Sequence, residues 1–266
     1  MSGRFVEASG MDPLFSEGAL PAAPTLSVSA LVTYLQCPRR YKFRYLNGGR
    51  DESSRSYLLV GRWFHATLAD FFRQEDRSQR TIATLRAILD GRWRDDLFPS
   101  VAESWRQREA VEGMIEAFAR ECDLNARPFQ LEVPFRVRIG DHTIRGRIDR
   151  VDCVADGSYE IIDYATVDDF TRPVVQFDKE IQVRVYALCA SAMWPQLEFS
   201  ATSYLLIDAD KVTRVSHQTQ RCHLQQTRSE LTELIGIMHM DSEYLSRANP
   251  FCGDCTLASD CDRGKR

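Results

Sequence analysis

Between Leu131 and Ala165 the hydrophobic period of this chain falls from three-to-four residues to two. No other feature restricts the fold as much. Upstream, Phe64, Leu68, Phe71 and Phe72, and later Met114, Ile115, Phe118 and Cys122, recur as on one face of a helix. From Leu131 onward, Val133, Phe135, Val137 and Ile139 alternate with Glu132, Pro134, Arg136 and Arg138, as in a half-buried strand. Gly140 and Asp141 turn the chain into a second strand over 143–154, and Asp156 and Gly157 turn it into a third over 159–165, so the three strands form a meander. Helices are expected near Leu31 and Tyr34 (capped by Ser27 or Ser29), after Pro38 over 39–46, and over 61–74, 81–95, 103–125, 180–193 and 227–247. Two further strands are expected over 199–207 and 211–217. The order gives an α/β fold in which a mixed central sheet is flanked by helices, with a helical N-terminal part and a Cys-rich C-terminal tail.

The chain has 266 residues, with 34 basic and 38 acidic side chains, and 44% of it is apolar. That supports one sizeable core and excludes a wholly disordered chain or a strongly basic coat protein. We expect residues 1–24, punctuated by Pro13, Pro21 and Pro24, to be a loose arm. Residues 25–266 then form one domain, divided into a helical part (25–126), a core (127–220) and a C-terminal helix with its tail (221–266). There is no apolar run of membrane-spanning length and no secretory leader pattern, so the expected location is the cytoplasm and no membrane partner is expected.

Two acids interrupt apolar strands, Asp149 in Gly146-Arg147-Ile148-Asp149-Arg150 and Asp163 in Ile161-Ile162-Asp163-Tyr164-Ala165. Adjacent antiparallel strands can bring them together, and two carboxylates so placed repel unless a hard cation such as Mg²⁺ or Mn²⁺ lies between them. The competing reading pairs each acid with Arg147 or Arg150.

At this point the residues resemble a known group. Asp149 followed by Asp163-Tyr164-Ala165-Thr166 is similar to the motif of the PD-(D/E)XK nuclease superfamily, in its RecB-like branch. The segment 29–45 with Gln36-Cys37-Pro38-Arg39-Arg40, then Gly61-Arg62-Trp63-Phe64-His65, and Gln182-Val183-Arg184-Val185-Tyr186 resemble that branch's other motifs, in its order. The resemblance implies a restriction-endonuclease-like core and a metal-dependent deoxyribonuclease. His65, Asp149, Asp163 and the carbonyl of Tyr164 would hold Mn²⁺ or Mg²⁺. Gln182 and Tyr186 would line the DNA path or support the site, and Glu132 would be a further supporting acid. It also implies an exonuclease acting on single-stranded ends or flaps, in DNA repair, recombination or CRISPR adaptation. With no G-x-x-x-x-G-K-[ST] phosphate loop of its own, the chain would work alone or with a helicase or integrase partner.

One position departs from the pattern. The branch carries lysine two residues after the second acid, where this chain has Ala165. A methyl group can neither orient water nor offset charge, so this chain should cleave poorly or not at all. The intact remainder of the motif set favours replacement of a lysine over slow decay. The rival reading is a non-catalytic DNA-binding subunit.

Of eight cysteines, Cys122, Cys153, Cys189 and Cys222 are scattered singly and read as small buried apolar residues. Cys252, Cys255 and Cys261 cluster in the tail and lack a fourth partner nearby. Cys37 is the candidate, and the set resembles the 4Fe-4S staple of RecB-like nucleases. The same four thiolates would also suit zinc, which is the basis of a third reading, a zinc-stapled scaffold with no DNA role. Arg39, Arg40, Lys42 and Arg44, with Arg136, Arg138, Arg145, Arg147 and Arg150, could flank a groove that tracks phosphates.

Overall fold

The computed structural model describes residues 24–49, 55–154, 157–166, 174–249, 252 and 255–261. The expected arm and half of the Asp156-Gly157 turn therefore lie outside the described residues. Strand β1 (Thr25–Ser27) leads into α1 (Val28–Gln36), where the Ser27 hydroxyl caps the helix by accepting the N–H of Ala30 at 3.1 Å. Helix α2 (Pro38–Tyr41) starts on a proline that needs no donor and runs on through a π-helical turn, Lys42–Leu46. Helices α3 (Arg55–Phe72), α4 (Ile82–Asp90, capped by Thr81) and α5 (Val101–Glu121, capped by Ser100) follow. The meander is β2 (Pro128–Ile139), β3 (His142–Cys153) and β4 (Tyr159–Thr166). Helix α6 (Val174–Met193) crosses over to β5 (Phe199–Ile207), which β6 (Val212–Gln218) joins antiparallel before α7 (Arg221–Met240).

Several expectations shift: α4 and α5 end before 95 and 125, and α6 begins at Val174 rather than 180. Strand β1 carries no periodicity that three residues could show. Helix α3 begins six residues earlier than its apolar stripe. Helix α7 begins and ends earlier than 227–247, because Asp241 stops it. That carboxylate accepts the N–H groups of Glu243 and Tyr244 and the hydroxyl of Tyr34 at 2.7 Å, which turns the chain back toward α1.

The sheet is mixed. Strand β3 pairs along one edge with β2, antiparallel. Its other edge is shared: β1 runs parallel to it as far as Arg145, and β4 runs antiparallel to it from Arg150. Residues 146–149 have no strand partner there among the described residues, so the sheet opens at Asp149. Strand β4 pairs parallel with β5, setting Asp163 beside Tyr204.

Helices α1, α6 and α7 cover one face of the sheet, and α3, α4 and α5 cover the other. The faces are not continuous along β2 and β3. Val133 packs into the α6 side but Leu131 into the α3 side. Ile148 lies on the α6 side, while Arg150 reaches the Phe72 ring on the α3 side. Both strands therefore switch faces where Glu132 lies across from Asp149, and Glu132 has a left-handed backbone, φ 53°. The strict alternation expected from Leu131 to Ile139 is broken there. Gly146 fits only as glycine, since a Cβ would come within 2.4 Å of the Phe135 ring that covers it from β2. Phe64, Leu68 and Phe71 are fully enclosed. At roughly 1.5–3 kcal/mol each, they hold α3 firmly on the sheet.

Candidate active site

That anchoring fixes His65, the residue after Phe64, over the opening in the sheet. His65 Nδ1 lies 3.2 Å from Asp149 Oδ2. The same oxygen accepts the N–H of Tyr164 at 2.9 Å, so the carboxylate takes over a main-chain donor that the strand ladder leaves unpaired. Asp163, next along β4, accepts from Gln182 Nε2 at 3.1 Å, and that amide also donates to the Tyr186 hydroxyl at 3.0 Å. Gln182 and Tyr186 lie one turn apart on α6, which sets both against the strand. Asp149 and Asp163 are buried, 7% and 3% exposed.

The arginine pairing considered for the acids is not formed by the residues expected to form it. Arg147 Nη1 pairs with Glu132 at 2.8 Å. Arg150 is buried and binds Asp152 and the Tyr164 hydroxyl. Arg150 therefore belongs to the core on the α3 side and not to a groove for nucleic acid, contrary to the expectation for the strand arginines.

The field of the acids is visible in their neighbours. Burial alone would push the His65 imidazole toward neutrality, but the carboxylates of Asp149, Asp163 and Glu132 outweigh it and raise its pKa above the ordinary value. Burial, reinforced by Asp163 and Asp149, keeps Tyr186 a neutral phenol. The carboxylates of Asp149 and Asp163 are hard donors that suit Mg²⁺ or Mn²⁺, the His65 imidazole is a borderline one, and Glu132 is engaged by Arg147. Among the described residues, no three such side chains are yet drawn into one coordination shell.

A metal held at His65 would have to displace the proton that these acids favour there. The same raised pKa makes protonation of His65 contribute stability fully below its unfolded pKa and lose it as pH rises through the folded value. Mn²⁺ affinity should therefore fall as pH drops through that raised value, and in His65→Ala this part of the pH dependence should vanish. Calorimetric Mn²⁺ titrations across pH check it, and identical profiles for the two proteins would sink the assignment.

Ala165 shares the Asp163 side of β4 and packs with Val183, Tyr204, Leu206 and Val215. Tyr57, which the sequence did not mark, closes the end of β4 together with Thr166 and Gly61 of the quoted motifs. The Tyr57 hydroxyl donates to the Thr166 carbonyl, and a Cβ on Gly61 would stand 3.3 Å from Thr166 Oγ1. The only sequence signal for Tyr57 was proximity to the Gly61-x-x-x-His65 pattern.

Cys37, Cys252, Cys255 and Cys261 line one pocket together with Arg39 and Arg40. Cys37 ends α1, giving its N–H to Thr33, and the N–H of Asn249 donates to Cys252 Sγ at 3.3 Å. The Asn249 amide binds the Gln36 carbonyl, and Arg247 binds that of Leu35. The tail is thus tied to α1 by hydrogen bonds as well. Cys189 is buried, and burial pushes the half-buried Cys122 thiol up to about 11. Cys153 and Cys222 are exposed, so the expectation that all four scattered cysteines are buried holds for neither of these. Cys153 faces outward at the end of β3, and Cys222 lies in the first turn of α7.

The model of the PD-(D/E)XK nuclease superfamily matches residues 25–262. The chain belongs to that superfamily. No curated protein matches it. Among solved structures it is similar to SSO0001, at 16% identity and a TM-score of 0.43, over 91% of this chain and 88% of that one. It is also similar to a proposed exonuclease from Eubacterium rectale, at 13% identity and a TM-score of 0.48, over 89% and 87%. The mixed sheet between two helical layers is the restriction-endonuclease-like arrangement expected from the sequence. No helix among the described residues is long and apolar enough to cross a membrane.

Proposed function

We propose that this fold serves a metal-dependent deoxyribonuclease of the RecB-like branch, in which Ala165 disables the chemical step. One observation carries the reading: on adjacent strands, buried Asp149 lies 3.2 Å from the His65 imidazole and accepts the N–H of Tyr164, the residue next to buried Asp163. His65, Asp149 and Asp163, with the Tyr164 carbonyl and Glu132 nearby, would hold Mn²⁺ or Mg²⁺. Such an ion, when bound, activates water and offsets charge on the phosphate. Tyr164 N–H orients Asp149. Gln182 orients Asp163 and is itself held by Tyr186. The buried walls keep these groups fixed, which is how a rigid site stabilises developing charge without rearranging. The substrate read from the resemblance is single-stranded DNA, as an end or flap, attacked as an exonuclease. The setting read from the resemblance is cytoplasmic, in repair, recombination or CRISPR adaptation, with the chain working alone or with a helicase or integrase partner. Ala165 also favours a second reading, a non-catalytic DNA-binding subunit. Labelled single- and double-stranded DNA incubated with Mn²⁺ and with this chain or Ala165→Lys separates the two. Cleavage by the lysine variant alone supports the nuclease. Folded, DNA-binding proteins that never cut support the subunit.

The pocket that gathers Cys37, Cys252, Cys255 and Cys261 supports a 4Fe-4S cluster in the same reading, and its thiolate set fits one. Protein purified without oxygen should carry iron and sulfide in equal amounts and absorb broadly in the visible. Cys37→Ser should abolish that absorption. It should also lower the Tm by roughly 5–15 °C, the loss expected on opening a covalent link across so long a loop. Stoichiometric zinc without iron would replace the cluster with a zinc site.

A further inference from the structure

We propose that a second pocket, between α6, β6 and the N-terminus of α7, binds a phosphate group. This cavity, of about 450 Å³, lies on the α6 side of the sheet. Its wall includes Arg184, His217 and His223 and not one carboxylate. Three polar atoms in the wall, Thr202 Oγ1, Thr219 Oγ1 and His217 Nε2, are buried and have no hydrogen-bond partner. Thr202 is only 1% exposed. Buried polar groups are nearly always satisfied, and an unsatisfied one costs free energy that a ligand would return. Thr202 and His217 stand directly across from each other on β5 and β6, so both side chains leave the sheet on the same face.

A second feature points the same way. Helix α7 is 20 residues long, and its cap residue Gln220, also in the pocket wall, makes no side-chain capping bond. Its first turn contains no acid. The open N–H groups and positive end of a long helix favour an anion there. Arg184 is held in place by Glu230, which balances its charge, and by Thr227 Oγ1 at 3.2 Å, so it offers its remaining N–H groups as fixed donors rather than a free charge. Fixed donors, hydroxyls and a lining whose nearest acid, Glu230, is already engaged by Arg184 select a phosphate, and the volume leaves room for a sugar and base attached to it.

The pocket is distinct from the acid cluster but close to it. Thr202 precedes by two residues Tyr204, the strand partner of Asp163, and Val183 in the pocket wall follows Gln182. The phosphate could thus belong to a nucleic-acid strand passing the acids or to a free nucleotide. The proposal does not depend on hydrolysis.

The probe is inorganic phosphate, titrated calorimetrically into the full chain with a chelator present, so that no metal carries the anion to the acid cluster. Thr202→Val keeps the shape and removes the unsatisfied hydroxyl, so its Tm should be unchanged or higher. Phosphate binding should weaken at least tenfold in Thr202→Val and in His217→Phe. Thymidine 5′-monophosphate and oligothymidylate then distinguish the sources. Weaker oligothymidylate binding by Thr202→Val assigns the pocket to the strand. Displacement of phosphate by the mononucleotide, with oligothymidylate binding unchanged, assigns it to a free nucleotide. No phosphate binding by the parent chain, or equal binding by parent and Thr202→Val, overturns the proposal.

Discussion

Ala165→Lys should raise the rate of DNA cleavage by about 10²–10³, the scale on which removing one preorganised charge-stabilising donor lowers an enzyme's rate. The position suits the change. Ala165 lies two residues after Asp163 on the same side of β4, half-buried among Val183, Tyr204, Leu206 and Val215. A lysine stem can run over those apolar side chains while its ammonium reaches toward the carboxylates. Asp163 and Asp149 would keep that ammonium charged despite its partial burial. The gain should appear in kcat, since the new charge acts on the transition state, and Asp163→Asn placed in the lysine background should remove it. Equal cleavage by this chain and the lysine variant would show that position 165 is not where the chemistry is limited. A folded lysine variant that binds Mn²⁺ and still does not cut would remove the nuclease reading.

Much of this was legible in the sequence because it lay in local pattern. The change of period placed β2, β3 and β4, and the acids inside apolar strands marked where those strands would meet. The pairing that sets the Asp149 strand beside the Asp163 strand follows from one short connection between β3 and β4. What the sequence did not show depends on geometry at longer range. Alternation predicts that Leu131 and Val133 share a face, yet the left-handed backbone at Glu132 puts them on opposite sides. The sharing of one edge of β3 between β1 and β4, which leaves Asp149 free to take a main-chain donor, has no periodicity at all. Arg150 reads as one more basic residue beside the acids. Only the face switch at Asp149 shows that it turns inward. The Asp241 cap that ends α7 is likewise a contact with α1, more than two hundred residues away in sequence.

Arg150→Met should destabilise the protein by about 3–5 kcal/mol, because it removes one partner of a buried ion pair and strands the other. The guanidinium is 5% exposed. It donates to Asp152 Oδ2 and to the Tyr164 hydroxyl, both at 2.8 Å, and lies 4.3 Å from the Phe72 ring centroid. Burial opposes its charge, but Tyr164 and Asp152 more than restore it. Burial already raises the Asp152 pKa, with Arg150 as the main force holding it down. Without Arg150 that pKa rises further. A carboxyl whose folded pKa lies above its unfolded one adds stability at low pH and loses it as pH climbs through the folded value. The Tm gap between parent and variant should therefore widen from acid toward neutral pH, reaching roughly 6–20 °C. Adding Asp152→Leu should recover most of the loss, since it removes the stranded charge. The same arginine acts on the acid cluster through Tyr164, whose hydroxyl it holds and whose N–H orients Asp149. The double variant should regain stability without regaining tight Mn²⁺ binding. If it regains both, the Tyr164 link does not position Asp149. A single variant within about 1 kcal/mol of the parent would mean that the pair contributes no more than an exposed one does.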